Sequence, residues 1–341
     1  MRIQIVHYNP AAPGEAGGAE SAIRDQQRAL QGLGHDVRIE FNRPDRAYVR
    51  YQPDIIHFHT IHEGLGMGVL KWAQVNKIPH VLSLHDYWPF CSDRMLMKYS
   101  AMPDTAHGEG CAAVEGVCDR HCVREPADSE TTAMVNASPT VTFNPYSAEI
   151  LRRNGVHVTA VIPHGINTAM FKPAPEKRQA NSIVTVSAWP RYATKGMHIL
   201  RAALKQVGAQ GVLITGVSRE KVRDALQMGD IFVFPSCYQE TWGLCLTEAM
   251  ACGCACIASD VAGPRYQAEQ SGAVRLFENN NPDALADQLR WMLDHPIERR
   301  ALGDKAAAWA REHATLERMA RDYVAFYEKV LACGGEYGAI S

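Results

Sequence analysis

The sequence lacks several features that would direct it to particular classes of protein. No run of apolar residues approaches the roughly eighteen that a membrane-spanning helix needs. The formal net charge of −2 gives no general signal for binding polyanions. Solenoid repeats and low-complexity tracts are absent, and the first residues read as a strand and a loop rather than a signal peptide. We therefore expect a globular protein in the cytoplasm.

A glycine fingerprint for dinucleotides is also missing after the first apolar run. The stretch PGEAGGAE (13–20) contains no G-x-G-x-x-G motif, which argues against a bound dinucleotide of the Rossmann kind. Gly17 and Gly18 nevertheless lie between that run and a helix-like stretch. On this pattern alone they are compatible with an ordinary turn between a strand and a helix.

What is present indicates two domains. The chain has 341 residues, which exceeds the usual size of a single hydrophobic core. Its apolar content of 46% and charged content of 21% are ordinary for a globular protein. Ten cysteines in a chain without a leader suggest thiols or metal ligands rather than a disulfide scaffold.

Short apolar runs alternate with helix-like stretches, the pattern of a parallel α/β sheet. The first half has predicted strands at 2–8, 36–41, 54–59, 80–85, 140–143 and 158–163. The first helix is predicted over 19–35, with Ile23, Leu30 and Leu33 on its apolar side and with glycines at its end.

The alternation restarts after a proline-rich segment at 163–182. Helices are expected from Met197, over 218–228 and from Leu244, each next to an apolar run. Two Rossmann-like sheets in sequence imply a cleft between two domains. Ligands of such sheets bind at the carboxyl ends of the strands, so the functional residues should lie in those loops.

The stretch ETWGLCLTEAMACG (240–253) places Glu240 and Glu248 on either side of a glycine. On one helix the two carboxylates would point about 80° apart and lie about 12 Å apart along the axis, so they could not easily contact the same part of a ligand. We therefore place Glu240 in a loop and Glu248 inside the helix that follows. Gly243 would let the backbone approach a ligand, and the N–H groups of Gly243 and Leu244 would suit a phosphate. The alternative is a capped surface helix with two solvated carboxylates.

Several ordered motifs carry a resemblance to one family. PSCYQETWGLCLTEAMACGCACIASDVAG (235–263) resembles the signature of the family-four retaining glycosyltransferases, in which seven residues separate two glutamates. GGAE (17–20), DIIHFH (54–59), LHDYW (84–88) and VIPHGINTAMFKP (161–173) are similar to other elements of that family. The resemblance runs from the first residue to about residue 330.

The resemblance implies an α/β protein of GT-B fold, with two Rossmann-like domains facing across a cleft. We expect an N-terminal acceptor domain at 1–164 with a cysteine-rich insertion at about 91–125. A donor domain is expected at 165–318, followed by a C-terminal helix at 319–335 that returns to the first domain.

The resemblance also implies roles for individual residues. His85 would reach the donor sugar near the reacting carbon, with His59 a weaker candidate. Gly17 and Gly18 would face the donor diphosphate, and Lys195 would neutralise it as it leaves. Arg191 is the nearest substitute for a family arginine whose position Ala188 occupies. Glu240 would lie beside the donor sugar, and Glu248 would hold the ribose hydroxyls.

The predicted activity is transfer of a sugar, with retention, from a nucleotide-diphosphate sugar to a hydroxyl of a glycan, lipid or small molecule. Attack from the front face would let the leaving phosphate take the acceptor proton, whereas retaining hydrolases use close paired carboxylates. No cofactor is expected for catalysis, and a UDP-sugar is the favoured donor. The second domain has no room for one βα unit that the family usually carries, which leaves the base open.

Four cysteines, Cys91, Cys111, Cys118 and Cys122, lie close together in sequence and predict a structural zinc site. His107 or His121 would be an alternative ligand, and free thiols or a disulfide remain alternatives to the metal. Three further cysteines are expected in the core around a strand, namely Cys252, Cys254 and Cys256.

The sequence gives little evidence about the acceptor. NRPDRAYVRYQ (42–52) interleaves Arg43, Arg46 and Arg50 with Tyr48 and Tyr51, a pattern compatible with an anionic acceptor, including nucleic acid, or with an ordinary solvated segment. The alternative functions are transfer to a modified base in DNA, epimerisation of a sugar nucleotide, and a non-catalytic module that binds a partner through a zinc loop.

Overall fold

The computed structural model describes residues 1–7, 18–41, 50–59, 61, 65–91, 96–98, 109–110, 129–187 and 193–334. Contacts divide the chain into two compact units. The first comprises Met1–Leu96, Cys111–Pro163 and Leu316–Ser341, and the second comprises Met97–Gly110 and His164–Thr315. None of the helices in these described ranges is long and apolar enough to cross a membrane.

Strands and helices alternate through most of the described chain. The strands are β1 (Arg2–His7), β2 (Asp36–Phe41), β3 (Ile55–His59), β4 (His80–Ser83), β5 (Met97–Lys98), β6 (Glu109–Gly110), β7 (Thr140–Thr142), β8 (Ala160–Val161), β9 (Ile183–Val186), β10 (Gly211–Ile214), β11 (Ile231–Phe234), β12 (Ala255–Ser259) and β13 (Val274–Phe277). The helices are α1 (Gly18–Gly32), α2 (Gly68–Val75), α3 (Ser129–Asn136), α4 (Pro145–Arg153), α5 (Met197–Val207), α6 (Arg219–Met228), α7 (Leu244–Ala251), α8 (Ala262–Ser271), α9 (Pro282–Asp294), α10 (Pro296–His313) and α11 (Leu316–Ala332). Short 3-10 turns occupy Pro175–Lys177 and Ala193–Lys195.

The first unit is built on a sheet of six strands in the order β2-β1-β3-β4-β7-β8, all paired in parallel. This confirms the α/β sheet that the alternating pattern predicts. Apolar residues of β1, β3 and β4 are buried because both faces of a parallel sheet are covered. Helix α11 packs against α1 and buries Tyr323 and Tyr327 in the same core.

Helix α1 ends earlier than predicted. Ile23 and Leu30 lie in the core as expected, but Leu33 is exposed, so its placement on the apolar side was wrong. Helix α1 stops at Gly32, and Gly34 then adopts a φ of 85°. A left-handed residue just past the last turn is a common helix end.

Predicted strands of the first sheet are generally longer than the observed ones at their carboxyl ends. The run at 80–85 forms a strand only over His80–Ser83, and the run at 158–163 only over Ala160–Val161. His85 therefore lies in the loop after β4 rather than in the strand. The apolar pattern continues past the strand because the first loop residues are still buried, as Leu84 is.

The second unit has a sheet of five strands in the order β10-β9-β11-β12-β13, again parallel throughout. Its helices α5 and α7 begin at Met197 and Leu244 as predicted. The three cysteines predicted for the core, which are Cys252, Cys254 and Cys256, are fully buried. Strand β10 lies at the edge, and its residues Val212 and Leu213 are exposed.

Candidate functional site

Two loops of the second unit bring the predicted lysine and the first predicted glutamate together. Lys195 ends the 3-10 turn before α5, and Glu240 lies in the loop between β11 and α7. Lys195 Nζ donates to Glu240 Oε1 across 2.7 Å. Both loops follow carboxyl ends of adjacent parallel strands, β9 and β11, which explains why residues distant in sequence meet here.

Two hydroxyl groups complete the surroundings of the Glu240 carboxylate. Tyr238 Oη donates to Oε2 across 2.6 Å, and Ser236 Oγ donates to Oε1 across 3.0 Å. Lys195 also donates to Tyr238 Oη across 3.2 Å. Sequence reasoning did not single out Tyr238 or Ser236. The signal was present in PSCYQE, where both hydroxyls precede the glutamate in the loop after β11.

The backbones of the two loops are in direct contact. Cys237 N donates to Thr194 O across 2.7 Å. Gly196 has a φ of 67°, and a Cβ atom there would lie 1.7 Å from Pro235 O. Only glycine is compatible with both the left-handed backbone and this approach. The glycine after Lys195 therefore lets the lysine loop lie against the glutamate loop.

Gly243 precedes the first residue of α7 with a φ of 92°. A Cβ atom there would lie 3.1 Å from Cζ of Phe234, so the backbone conformation and the packed ring both favour glycine. Leu244 begins the helix and is half-buried. The phosphate site predicted at these two N–H groups stays a prediction.

Glu248 lies inside α7, as predicted, and is largely buried. Arg219 Nη2 donates to Glu248 Oε1 across 3.2 Å, and the guanidinium lies 5.2 Å from the ring centroid of Phe171. Arg219 is the first residue of α6, directly after the capping Ser218. Sequence reasoning missed Arg219 because its pairing depends on how α6 and α7 pack.

The candidate histidine of the first unit lies beside a second histidine. His85 Nε2 is 2.8 Å from His59 Nδ1, and the His85 ring packs 4.8 Å from the ring of Phe143. Burial, together with the nearby charge of His7, holds the pKa of His85 well below its usual range. His85 is therefore neutral at neutral pH.

The glycine pair predicted to face a diphosphate is only partly described. Gly18 is the first residue of α1, and Gly17 lies outside the described residues. Glu20, in the first turn of this helix, has its carboxylate 3.6 Å from His7 Nε2. Arg191 and Ala188 also lie outside the described residues, so the arginine assignment stays a prediction.

The predicted metal ligands are represented by Cys91 alone. This cysteine is buried, whereas Cys111, Cys118 and Cys122 lie outside the described residues. Within the described ranges, no three or more His, Cys, Asp and Glu side chains are placed to hold a metal ion. The zinc site therefore stays a prediction.

The basic patch predicted at 42–52 is also represented in part, by Arg50 and Tyr51. Arg50 is exposed, but Tyr51 is buried, and its hydroxyl donates to Asp36 O across 2.6 Å. The guanidinium of Arg38 covers its ring at 4.3 Å from the centroid. Tyr51 packs beside β2, so its placement in a surface patch was wrong.

Comparisons of the sequence identify relatives that transfer sugars. Residues 196–309 match the model of the family Glycosyl transferases group 1. The chain is 26% identical over 311 residues to the MMP alpha-(1->4)-mannosyltransferase of Mycolicibacterium hassiacum. That alignment covers 81% of this chain and 71% of the relative.

Solved structures share the fold. Sucrose-phosphate synthase from Thermosynechococcus elongatus superposes with a TM-score of 0.74 at 16% identity, covering 97% of this chain and 99% of that one. Anabaena Alr3699/HepE in complex with UDP-glucose gives a TM-score of 0.68 at 15% identity, over 96% of this chain and 99% of that one. These likenesses confirm the predicted GT-B fold. The chain therefore resembles glycosyltransferases in fold over nearly its whole length, and in sequence it matches the Glycosyl transferases group 1 family over residues 196–309.

Proposed function

We propose that this enzyme transfers a sugar, with retention of configuration, from a UDP-sugar to a hydroxyl acceptor. The observation that carries the proposal is the pairing of Lys195 with Glu240, together with Glu248 on the next helix. These residues combine a cation for a diphosphate with two carboxylates for hydroxyl groups. They follow the carboxyl ends of β9 and β11, where such sheets bind ligands.

In this proposal Lys195 stabilises the charge that develops on the leaving diphosphate. A fixed cation at the point where charge develops lowers the barrier, because it interacts more strongly with the transition state than with the bound donor. Glu240 also accepts hydrogen bonds from Tyr238 and Ser236, one on each oxygen. Lys195 can therefore turn toward a diphosphate while the carboxylate keeps hydrogen-bond donors.

Glu248 would accept hydrogen bonds from the ribose hydroxyls of the donor. Arg219 holds Oε1 of this carboxylate, which orients it before a nucleotide binds. The two glutamates thus have separate partners and separate roles. Retaining hydrolases instead use two carboxyl groups that act on the same bond, so we favour front-face attack in which the leaving phosphate takes the acceptor proton.

The choice of UDP draws on the Anabaena protein, whose structure contains UDP-glucose. The mannosyltransferase of Mycolicibacterium hassiacum supports a hexose as the transferred sugar. The acceptor is proposed only as a hydroxyl compound, whether glycan, lipid or small molecule. The burial of Tyr51 argues against a nucleic-acid acceptor, because this residue is not part of a surface patch.

No cofactor is required for transfer in this proposal, because Lys195 supplies the cation. Treatment with EDTA should leave turnover unchanged, and a loss restored by magnesium or manganese would contradict this.

The four-cysteine zinc site is a separate structural proposal. Elemental analysis of the pure protein should find about one zinc per chain, given the tight binding of thiolate sites. Less than a tenth of an equivalent would exclude it.

A thermal-shift screen tests the donor first. A ligand that binds only the folded protein at a hundred times its Kd adds about 2.7 kcal/mol of stability. UDP and UDP-glucose should raise the melting temperature more than GDP, ADP and their sugars. Proton NMR of the transferred sugar then reports its anomeric configuration. Absence of any shift with all nucleotides would refute the donor assignment, and inversion would refute the mechanism.

A further inference from the structure

We infer that His59 is a positioning residue for His85, whose ring it holds in one orientation and one neutral tautomer. The inference rests on the proposed function and on the role that the family resemblance implies for His85, beside the donor sugar. His59 ends β3, and His85 follows the end of the neighbouring strand β4. Nδ1 of His59 lies 2.8 Å from Nε2 of His85, a full hydrogen bond.

This hydrogen bond couples the protonation of the two rings. A neutral imidazole carries a proton on one of its nitrogens, so in the pair one ring donates and the other accepts. The proton held at His59 therefore decides whether Nδ1 of His85 is a donor or an acceptor. Nδ1 is the ring nitrogen of His85 that His59 does not engage, and its character matters to a sugar hydroxyl.

His59 is itself firmly placed. Its side chain is buried, and its ring lies 4.0 Å from the ring of His57. Both ring nitrogens of His57 are hydrogen-bonded, Nδ1 to Tyr327 Oη across 2.7 Å and Nε2 to Ser83 Oγ across 2.7 Å. His7 Nδ1 approaches His59 O at 3.4 Å, and Glu20 faces the other nitrogen of His7. A buried ring with such neighbours has little freedom to rotate, so it can orient a partner.

A purely structural role is the competing explanation, since a buried aromatic ring also fills space. Two substitutions at this position separate the explanations. His59→Phe keeps an aromatic ring but removes both nitrogens. His59→Asn loses most of the ring but places an amide atom near the position of Nδ1. Positioning predicts that Phe is the more harmful for catalysis, and packing predicts that Asn is.

The kinetic test measures release of UDP from UDP-glucose. We expect His59→Phe to lower kcat roughly 10- to 100-fold, as displacements of a reacting group of about 1 Å do. Its KM and its Kd for UDP should change less than about threefold, because Lys195 and Glu248 hold the nucleotide. His59→Asn should retain a clearly larger share of kcat. An Asn variant slower than the Phe variant, or a Phe variant with near-normal kcat, would overturn the inference.

A second measurement needs no turnover. The imidazole 15N shifts of His85, assigned with a His85→Gln variant, should show one neutral tautomer in the wild type and a mixture in His59→Phe. If His59→Phe does not fold, His59→Gln replaces it, because its amide reaches the position of Nε2 rather than Nδ1. If the tautomer of His85 is the same in His59→Phe as in the wild type, the inference is wrong even if sugar transfer is confirmed. If the tautomer depends on His59 but the wild-type protein neither binds UDP-glucose nor releases UDP from it, only the proposed function is refuted.

Discussion

Lys195 Nζ and Glu240 Oε1 lie 2.7 Å apart across 45 residues of sequence. Their pairing makes the lysine the residue to test first. In Lys195→Met the side chain keeps most of its length but loses its charge, so the leaving diphosphate loses its cation. We expect kcat for UDP release to fall roughly 10²- to 10³-fold, as when a preorganised charge-stabilising group is removed.

The control for this prediction is Lys205→Met, which removes an exposed lysine from the last turn of α5. It should leave kcat within about twofold of the wild type, because surface charges far from the chemistry act weakly. Circular dichroism checks that both variants are folded. Equal rates in the two variants would remove Lys195 from the proposed site.

Arg219 is expected to determine nucleotide affinity through Glu248. Arg219→Met removes the guanidinium that holds Glu248 Oε1, so the carboxylate loses its orientation. Hydrogen bonds to charged groups contribute about 1.5–3 kcal/mol, so the Kd for UDP should rise roughly tenfold or more. Isothermal titration calorimetry measures it. Arg223→Met, on the same helix but paired with the half-buried Asp224, should bind UDP like the wild type.

Gly196 should be intolerant of a side chain, unlike a glycine of similar backbone conformation. Gly208 has a φ of 65° and open space around its missing Cβ, so Gly208→Ala should cost about 1–2 kcal/mol of stability. Gly196→Ala adds a collision with Pro235 O and separates the loops of Lys195 and Glu240. We expect a much lower melting temperature and loss of UDP release. Similar melting temperatures for the two variants would contradict the close approach.

Breaking a buried ion pair should destabilise the second unit. Arg299 Nη2 lies 3.0 Å from Asp230 Oδ2, and both residues are buried. Arg299→Met leaves an uncompensated buried carboxylate, which costs about 3–5 kcal/mol. The half-buried Arg300 pairs with an exposed aspartate, Asp304, and Arg300→Met should cost less than about 1 kcal/mol. Urea unfolding followed by circular dichroism measures both, and equal losses would refute the assignment.

Acid should weaken the first unit through its buried histidines. Burial lowers the pKa of His57 from 6.5 to about 3. Below about pH 6.5 the imidazole of His57 becomes protonated in the unfolded chain but stays neutral in the folded chain. The free energy of unfolding therefore decreases as the pH falls. At about 1.4 kcal/mol per pH unit, this residue alone removes about 2 kcal/mol between pH 6.5 and pH 5. Urea unfolding at several pH values measures the slope.

His57→Gln should reduce that slope, because glutamine does not titrate. The exposed His157 provides the control, and His157→Gln should keep the slope of the wild type. A slope that is identical in all three proteins would show that His57 is not the group responsible.

Much of the fold could be predicted from local patterns. Apolar runs with helix-like stretches between them predicted two parallel sheets, and the helix starts at Met197 and Leu244 were predicted correctly. The placement of Glu240 in a loop and Glu248 in a helix followed from helical geometry alone. The exact strand ends were harder to predict, because buried residues such as Leu84 continue the apolar pattern into the loop.

The site was predictable only where each residue carries its own local signal. The sequence alone determined that Lys195 and Glu240 lie in loops after strands and that Glu248 lies in the following helix, because hydrophobic periodicity and strand–loop order are properties of short segments. Only the tertiary structure decided which side chains meet. Tyr238 and Ser236 donate hydrogen bonds to the same carboxylate as Lys195, that of Glu240. Arg219 donates to Glu248, and His59 is hydrogen-bonded to His85. Those pairings depend on the order of strands in a sheet and on the packing of helices. Both arise from contacts between segments far apart in the chain, which no local pattern records.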